Sequence, residues 1–152
     1  MEVALSVNGC DVVRDVAPQE LLLDFLRDSL GLTGSKRSCE VQVCGACTVL
    51  VDGLPVSSCC YLVAQAQGRE VTTIEGLAEQ PEFERLEDAF TRHAALQCGF
   101  CTPGMLLTVS ALLESGELGS EERIKQSLSG NLCRCTGYRG IIEAVADLSG
   151  VG

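Results

Sequence analysis

Four cysteines in the first half of the chain have a spacing suited to binding iron. Cys39, Cys44 and Cys47 lie within nine residues, and Cys59 follows twelve positions after Cys47. This C-x4-C-x2-C spacing with a distant fourth cysteine is typical of plant-type 2Fe-2S sites, in which four thiolates hold two irons. One loop supplies three thiolates only if it curls tightly, and Gly45 lets the backbone approach the sulfurs where a side chain would collide. The spacing therefore predicts a 2Fe-2S cluster on these four cysteines.

Four more cysteines form two close pairs in the second half of the chain. Two residues separate Cys98 from Cys101, and one residue separates Cys133 from Cys135. Each pair precedes a predicted helix, where free amides and positive partial charge stabilise thiolates. Two facing helix starts could deliver four thiolates to a second 2Fe-2S cluster. Zinc is the competing interpretation, although structural zinc pairs usually leave two to four residues between ligands, which Cys133 and Cys135 do not.

The first half reads as a small sheet wrapped over one helix. Apolar alternation and turn residues predict five strands, at residues 2–7, 10–16, 48–51, 55–58 and 71–74. Asn8-Gly9 and Asp52-Gly53 predict hairpin turns. Leucines at helical spacing between Pro18 and Gly31 predict a helix of about 13 residues, and a short helix is predicted over residues 60–67.

The second half reads as a helical bundle. Helices are predicted over residues 81–94, from Thr102 to Gly116, from Ser120 to Gly130, and over residues 141–148. Short connections between four helices are typical of a bundle. The character of the chain changes near residues 75–79, which predicts one domain over residues 1–76 and another over residues 77–152. Because no long linker separates them, we expect the two halves to pack closely.

Composition narrows the classes of function. The chain has 152 residues, 46% of them hydrophobic, with ten cysteines and a formal net charge of −10. The negative charge argues against nucleic-acid binding. No export signal is visible at the N-terminus, so we expect a cytoplasmic protein whose thiols stay reduced and free to bind metal. The longest nearly apolar run, residues 105–113, is too short to span a bilayer.

Three motifs together resemble one family. They are the Cys39-x4-Cys44-Gly45-x-Cys47-x11-Cys59 spacing, QCGFCTPG at residues 97–104 and GNLCRCTGY at residues 130–138. The chain, from about residue 2 to 148, resembles the iron–sulfur small subunit of the molybdenum hydroxylases, which include xanthine dehydrogenase, aldehyde oxidoreductase and carbon monoxide dehydrogenase. The resemblance implies an α+β fold, with a plant-type ferredoxin-like β-grasp domain followed by a four-helix bundle. It also implies that the second cysteine set binds 2Fe-2S.

The resemblance implies a route for electrons between cofactors on partner chains. The cluster in the helical half, on Cys98, Cys101, Cys133 and Cys135, would lie near a molybdenum-pterin, in its cytosine dinucleotide form, on a large subunit. The cluster in the first half would lie toward FAD on a medium subunit. Gln97 contacts the pterin in such proteins, a role that suits an amide with donors and an acceptor.

The resemblance further implies a separate subunit of an oxidoreductase, in a heterotrimer or a dimer of heterotrimers. No Ser-His-Asp set, carboxylate pair or phosphate loop is evident, so we expect this chain to carry electrons and no catalytic residue. A freestanding 2Fe-2S carrier or sensor is the alternative, although it would need only the first domain. A zinc-stabilised adaptor is a third hypothesis.

Several residues near the motifs have less specific interpretations. The x11 spacing of the family selects Cys59 over Cys60 as the fourth ligand, and Cys60 and Cys10 are interpreted as small buried apolar residues. His93 is assigned a surface or capping role, and Phe100 a place in the core. Arg134 either donates a hydrogen bond to a sulfur or partner carboxylate, or faces solvent.

Overall fold

The first half of the chain contains a mixed five-stranded sheet. The structure, a computed structural model, describes residues 1–151, so Gly152, the last residue of the predicted second domain, lies outside the described residues. The strands are β1 (Glu2–Val7), β2 (Cys10–Asp15), β3 (Thr48–Val51), β4 (Leu54–Ser57) and β5 (Glu70–Thr72). Their order is β2-β1-β5-β3-β4, with β1 and β5 parallel and the other pairs antiparallel. All five predicted strands are present, with small differences at their ends.

Both predicted hairpin turns are confirmed. Asn8 and Asp52 have φ angles of 53° and 50°, and the glycines that follow them have φ angles of 76° and 77°. Two consecutive residues at positive φ are the signature of the turn type whose twist matches that of paired strands. The turns therefore fix the register of β1 with β2 and of β3 with β4.

The helix under the sheet is shorter than predicted. Helix α1 (Leu22–Asp24) continues into a π-helical turn (Phe25–Ser29), and Pro18 lies in a turn before it. The predicted start at Pro18 is wrong because Leu21 is extended and pairs with Leu62 in an antiparallel bridge. A residue held in a bridge cannot take helical dihedrals, so the helix begins at the next position.

The segments around β5 also differ from the prediction. Two 3₁₀ turns, Ser58–Cys60 and Val63–Ala66, stand where one helix over residues 60–67 was expected. Strand β5 ends at Thr72, and Ile74, predicted to end that strand, begins helix α2 (Ile74–Ala78). The proposed domain boundary between residues 76 and 77 falls within α2.

The four predicted helices of the second half are confirmed. They are α3 (Phe83–Arg92), α4 (Thr102–Ser115), α5 (Glu121–Ser127) and α6 (Arg139–Ser149). Ser120 caps α5 as predicted, since its side chain accepts a hydrogen bond from the Arg123 amide. Gly116 ends α4 in the left-handed conformation, with a φ of 68°. Among the described residues, no helix combines the length and apolar character required to cross a membrane.

The sheet and the helices enclose separate apolar cores that meet at α4. One core lies between the sheet and α1, and the other lies among α2 to α6. Helix α4 begins directly against the cysteine loop, where a Cβ added to Gly104 would lie 2.2 Å from the carbonyl oxygen of Gly45. The α+β fold is thus confirmed, and the close approach of α4 to the loop brings both cysteine sets to the junction.

Candidate metal centres

The loop of residues 39–47 is curled by residues in the left-handed conformation. Glu40, Gln42 and Gly45 have φ angles of 57°, 58° and 71°. The two non-glycine residues carry a steric cost there, since left-handed backbone is uncommon for residues with a side chain. These left-handed residues make the loop curl instead of extending.

The curled backbone directs amide groups at the first sulfur. The amides of Val43 and Cys44 both donate to Cys39 Sγ at 3.4 Å. Backbone hydrogen bonds, the strongest from Val41 and then those from Val43 and Cys44, lower the pKa of Cys39 to about 6. A thiol held this way is stabilised as the thiolate, the form that binds metal.

The third and fourth cysteines of this set lie side by side in the interior. Cys47 and Cys59 are both buried and pack with Leu23. Ser58 fixes the two segments together, because its hydroxyl donates to the carbonyl of Cys47 at 2.6 Å. Burial, more than the neighbouring Cys59, raises the pKa of Cys47 to about 11. A buried thiolate requires a compensating positive charge, which an iron ion supplies.

The start of the loop is anchored to the sheet helix by ion pairs. Arg37 pairs with Asp24 on α1 and with Glu40 inside the loop. Because both partners are partly exposed, the value of these pairs lies in fixing the loop position more than in stability.

A second anchor joins the segment before the loop to α2. One carboxylate oxygen of Glu75 accepts from the amide of Gly34 at 2.8 Å, and the other accepts from the Thr73 hydroxyl at 2.7 Å. Burial raises the pKa of Glu75, but the hydrogen bonds from Thr73 and Gly34 outweigh it, so that the pKa is lowered overall. Glu75 therefore acts as a carboxylate that ties the cysteine-bearing segment to the junction.

The two cysteine pairs of the helical half are brought together, as predicted. Cys135 Sγ lies 3.5 Å from Cys98 Sγ and donates to it. The amide of Phe100, and then the thiol of Cys135, lower the pKa of Cys98. Gly99 turns the chain between Cys98 and Cys101 with a φ of 80°.

The other two thiols of this set also form a pair. Burial and then the neighbouring Cys133 raise the pKa of Cys101 to about 12. Burial alone would raise the pKa of Cys133, but the hydroxyl of Thr136, which donates to its sulfur at 3.1 Å, lowers it instead. The four thiols thus lie as two pairs, Cys98 with Cys135 and Cys101 with Cys133.

Paired thiols fit a two-iron cluster, in which each iron takes two of the four thiolates. In the first set the thiol of Cys44 contributes to the lowered pKa of Cys39, and the thiol of Cys59 contributes to the raised pKa of Cys47. The residues present therefore fit 2Fe-2S at both centres by donor type, number and pairing.

Tyr138 holds the loop of the second centre, a role that sequence reasoning did not identify. Its hydroxyl accepts from the amide of Cys133 at 2.8 Å and donates to the carbonyl of Asn131 at 3.0 Å. Tyr138 itself has a φ of 68°, unusual for a bulky residue. The GNLCRCTGY motif contained this tyrosine, but nothing in its spacing indicated that the ring folds back on the loop.

The two centres are joined by a direct backbone contact. The amide of Leu132 donates to the carbonyl of Cys44 at 2.8 Å, and Leu132 is followed by Cys133. The buried side-chain amide of Asn131 donates, through Nδ2, to the carbonyl of Gly45 and to the hydroxyl of Thr48, both at 3.3 Å. The expectation that the two halves pack closely is therefore confirmed at the cysteine loops themselves.

Gly45 is subject to a steric constraint that the sequence did not indicate. A Cβ at this position would lie 2.4 Å from the carbonyl oxygen of Gly130, and 2.6 Å and 2.9 Å from Nδ2 and Cα of Asn131. The nearest obstacle to a side chain is thus the opposite half of the molecule, and the expected close approach of the Gly45 backbone to the sulfurs stays a prediction.

Three side chains interpreted as buried are exposed. Phe100 is 46% exposed, so its assignment to the core is wrong. Cys10 and Cys60 are also exposed: Cys10 follows a hairpin turn, and Cys60 is the last residue of a 3₁₀ turn whose other two residues are buried. Gln97 and Arg134 lie exposed in the loops that carry the second cysteine set. His93 ends α3, with Nε2 3.3 Å from a carboxylate oxygen of Asp147.

Comparison with known proteins places the chain in a class with two iron–sulfur domains. The model of a 2Fe-2S iron-sulfur cluster binding domain matches residues 22–88, and that of a [2Fe-2S] binding domain matches residues 73–146. The chain is 48% identical to the nicotine 6-hydroxylase small subunit of Paenarthrobacter nicotinovorans, over 99% of this chain and 90% of that protein. It is 41% identical to the xanthine dehydrogenase iron-sulfur-binding subunit of Escherichia coli O157:H7, over 93% of this chain and 90% of that one.

A solved structure agrees with these sequence matches. Quinoline 2-oxidoreductase from Pseudomonas putida 86 contains a chain that superposes with a TM-score of 0.91 at 45% identity, covering 99% of this chain and 94% of that one. The chain belongs to the iron–sulfur small subunits of the molybdenum hydroxylases of the xanthine dehydrogenase family. It is the iron–sulfur subunit of an oxidoreductase complex.

Proposed function

We propose that this chain relays single electrons from a molybdenum-pterin site on a large subunit to FAD on a medium subunit. The observation that carries the proposal is the 2.8 Å hydrogen bond from the Leu132 amide to the Cys44 carbonyl. Leu132 is bonded directly to Cys133 of the second set, and Cys44 belongs to the first set. A path of covalent bonds and one hydrogen bond therefore links the two centres. A freestanding carrier would need only the first of these centres.

The eight paired cysteines are proposed as the ligands. They are Cys39, Cys44, Cys47 and Cys59 at the first centre, and Cys98, Cys101, Cys133 and Cys135 at the second. When bound, each 2Fe-2S cluster accepts and releases one electron. The protein orients the thiolates, and its hydrogen bonds to sulfur, from the loop amides to Cys39 and from Thr136 to Cys133, stabilise negative charge and help to set the potential.

Exposed apolar side chains lie beside each of the two centres, and the order of the relay is taken from the resemblance to the family. Around the second centre Leu96, Phe100 and Leu132 are between 43% and 49% exposed, next to the exposed Cys98 and Cys135. Exposed apolar side chains around a redox centre are suited to covering by another chain. We assign this surface to the large subunit, with Gln97 placed there to contact the pterin.

The first centre has its own apolar rim. Val41 and Val43 are 64% and 57% exposed and lie within the loop that carries Cys39 and Cys44. We assign this rim to the medium FAD subunit. The division into domains of residues 1–76 and 77–152 is part of the same proposal, because each proposed domain carries one centre and faces one partner.

The experiment is purification of the tagged chain from its native source, followed by metal, flavin and subunit analysis. We expect two larger chains to accompany it, together with molybdenum and FAD. An N-heterocyclic compound is the first substrate to assay, because nicotine and quinoline occur in the names of relatives. The reduced complex should show two distinct paramagnetic signals, and Cys44→Ser should remove one. Isolation as a stable monomer without molybdenum or flavin would support a freestanding carrier. Persistence of both signals in Cys44→Ser would refute the ligand assignment.

A further inference from the structure

Cys60 is a fifth thiol at the edge of the first centre. Its Sγ lies 3.7 Å from Cys59 Sγ and 3.7 Å from the carbonyl oxygen of Glu40. Both distances suit weak hydrogen bonds of a thiol. Cys60 thereby bridges the segment that carries the fourth cysteine and the loop that carries the first three.

The thiol proton of Cys60 has two acceptors at the same distance but of unequal strength. Cys59, as a proposed iron ligand, carries no proton and bears negative charge, whereas the Glu40 carbonyl is neutral. Hydrogen bonds to charged acceptors are stronger than those to neutral ones. In the iron-loaded protein the proton therefore points to the sulfur of Cys59, and Cys60 is the only possible donor of this pair.

We propose that Cys60 donates its S–H to the ligand sulfur of Cys59 and raises the reduction potential of the first centre. The inference rests on the proposed ligand set of the first centre. Hydrogen bonds to cluster sulfurs stabilise the reduced, more negative state and are among the factors that set the potential of a 2Fe-2S site. Cys60 is thus a tuning residue that makes the centre nearer the proposed FAD partner a better electron acceptor.

The position of Cys60 makes it suitable for substitution. Its side chain is exposed and opens on a cleft of about 430 Å³ between the halves, lined also by Gln42, Tyr61 and Asn131. Cys59 is buried, with 4% of its surface exposed, so removal of the neighbouring thiol leaves the ligand in place. We therefore expect Cys60→Ala to fold and to bind both clusters.

The test is a redox titration of the complex, followed by the paramagnetic signal of each centre. Because the hydrogen bond is stronger to the more negative reduced state, we expect Cys60→Ala to lower the ratio of reduced to oxidised first centre about threefold at a fixed applied potential. That change corresponds to about 28 mV, at 59 mV per tenfold for one electron. Cys60→Ser, whose hydroxyl also donates, should restore most of the shift. The second centre is an internal control, and Cys10→Ala, another exposed cysteine, should change neither potential.

A spectroscopic signature separates hydrogen bonding from a general structural effect. The thiol proton exchanges with solvent and adds one coupling to those of the Val43 and Cys44 amide protons, which also exchange. This additional coupling to the first centre should be present in the wild type and in Cys60→Ser, and absent in Cys60→Ala. An unchanged potential with the proton coupling retained in Cys60→Ala would overturn the proposal. Loss of the first signal in Cys60→Ala would also overturn it, by showing that Cys60 is itself a ligand. Neither result would affect the proposed relay, which fails only if the partner cofactors are absent.

Discussion

Gly45 stands where the two halves of the molecule touch, and an alanine there tests how firmly they are locked together. Its φ of 71° disfavours any residue with a side chain, and the added Cβ would lie 2.4 Å from the Gly130 carbonyl oxygen. Cα of Asn131, 2.9 Å away, is also backbone and cannot rotate aside. The substitution therefore forces the two cysteine loops apart or strains both.

The expected cost has two parts. Left-handed backbone costs a residue with a side chain about 1–2 kcal/mol, and overpacking against fixed backbone adds about 1–3 kcal/mol. Gly53→Ala isolates the first part, because Gly53 has a φ of 77° and nothing within 4 Å of an added Cβ. The two alanine variants should therefore differ by the packing term alone.

The assay is the rate of cluster loss on heating, followed by visible absorbance, since unfolding that releases the cofactor is irreversible and must be measured as a rate. If the junction opens before the rate-limiting step, a packing term of about 1–3 kcal/mol makes Gly45→Ala about 5- to 150-fold faster than Gly53→Ala. Gly99→Ala is a second control, because Gly99 lies between two proposed ligands with a φ of 80° and open space around it. The magnetic interaction between the two reduced centres should also weaken in Gly45→Ala.

Equal rates of cluster loss in Gly45→Ala and Gly53→Ala would refute the reasoning. That result would mean that the contact between Gly45 and the Gly130–Asn131 segment yields at no cost. An unchanged magnetic interaction, together with equal rates, would remove the junction as the element that fixes the separation of the two centres.

Tyr138→Phe should accelerate loss of the second cluster alone, because the Cys133 amide loses its acceptor, at a cost of about 1–3 kcal/mol for an unsatisfied group. The rate at which each paramagnetic signal decays measures the loss of each cluster, and Tyr61→Phe is the control for an exposed tyrosine hydroxyl. Equal decay rates of the second signal in the two variants would contradict the role assigned to Tyr138. The pKa of Glu75 is lowered in the folded chain. Its carboxylate therefore stabilises the fold at pH values above the unfolded pKa of about 4.3, and this stabilisation is lost as the pH falls through the pKa of the folded state. Unfolding rates between about pH 3 and 7 should therefore rise less steeply with acid in Glu75→Gln, and identical pH profiles would exclude Glu75 as a contributor.

The sequence was most informative where a local pattern requires a local structure. Asn8-Gly9 and Asp52-Gly53 predicted their hairpins because few dipeptides accept positive φ at both positions. Ser120 predicted the start of α5 because its hydroxyl satisfies an amide of its own helix. These signals involve residues a few positions apart, so no distant contact was needed to read them.

Predictions failed where distant segments decided the outcome. The start of α1 moved from Pro18 to Leu22 because Leu21 pairs with Leu62, a contact invisible to helical periodicity. Phe100 was assigned to the core by its type, yet the folded loop leaves it exposed beside the second centre. Hydrophobicity alone does not tell a core residue from one that a partner could cover.

The cysteine spacings by themselves predicted an iron–sulfur cluster at the first centre and left zinc open at the second, where the resemblance to the family favoured 2Fe-2S. They could not say how the two centres are related. Only the tertiary structure placed the Leu132 amide on the Cys44 carbonyl, Tyr138 over the Cys133 loop and the Cys60 thiol on the Glu40 carbonyl. Each of these contacts depends on where folding brings segments together. At the junction, the packing of α4 against the cysteine loop determines which segments meet.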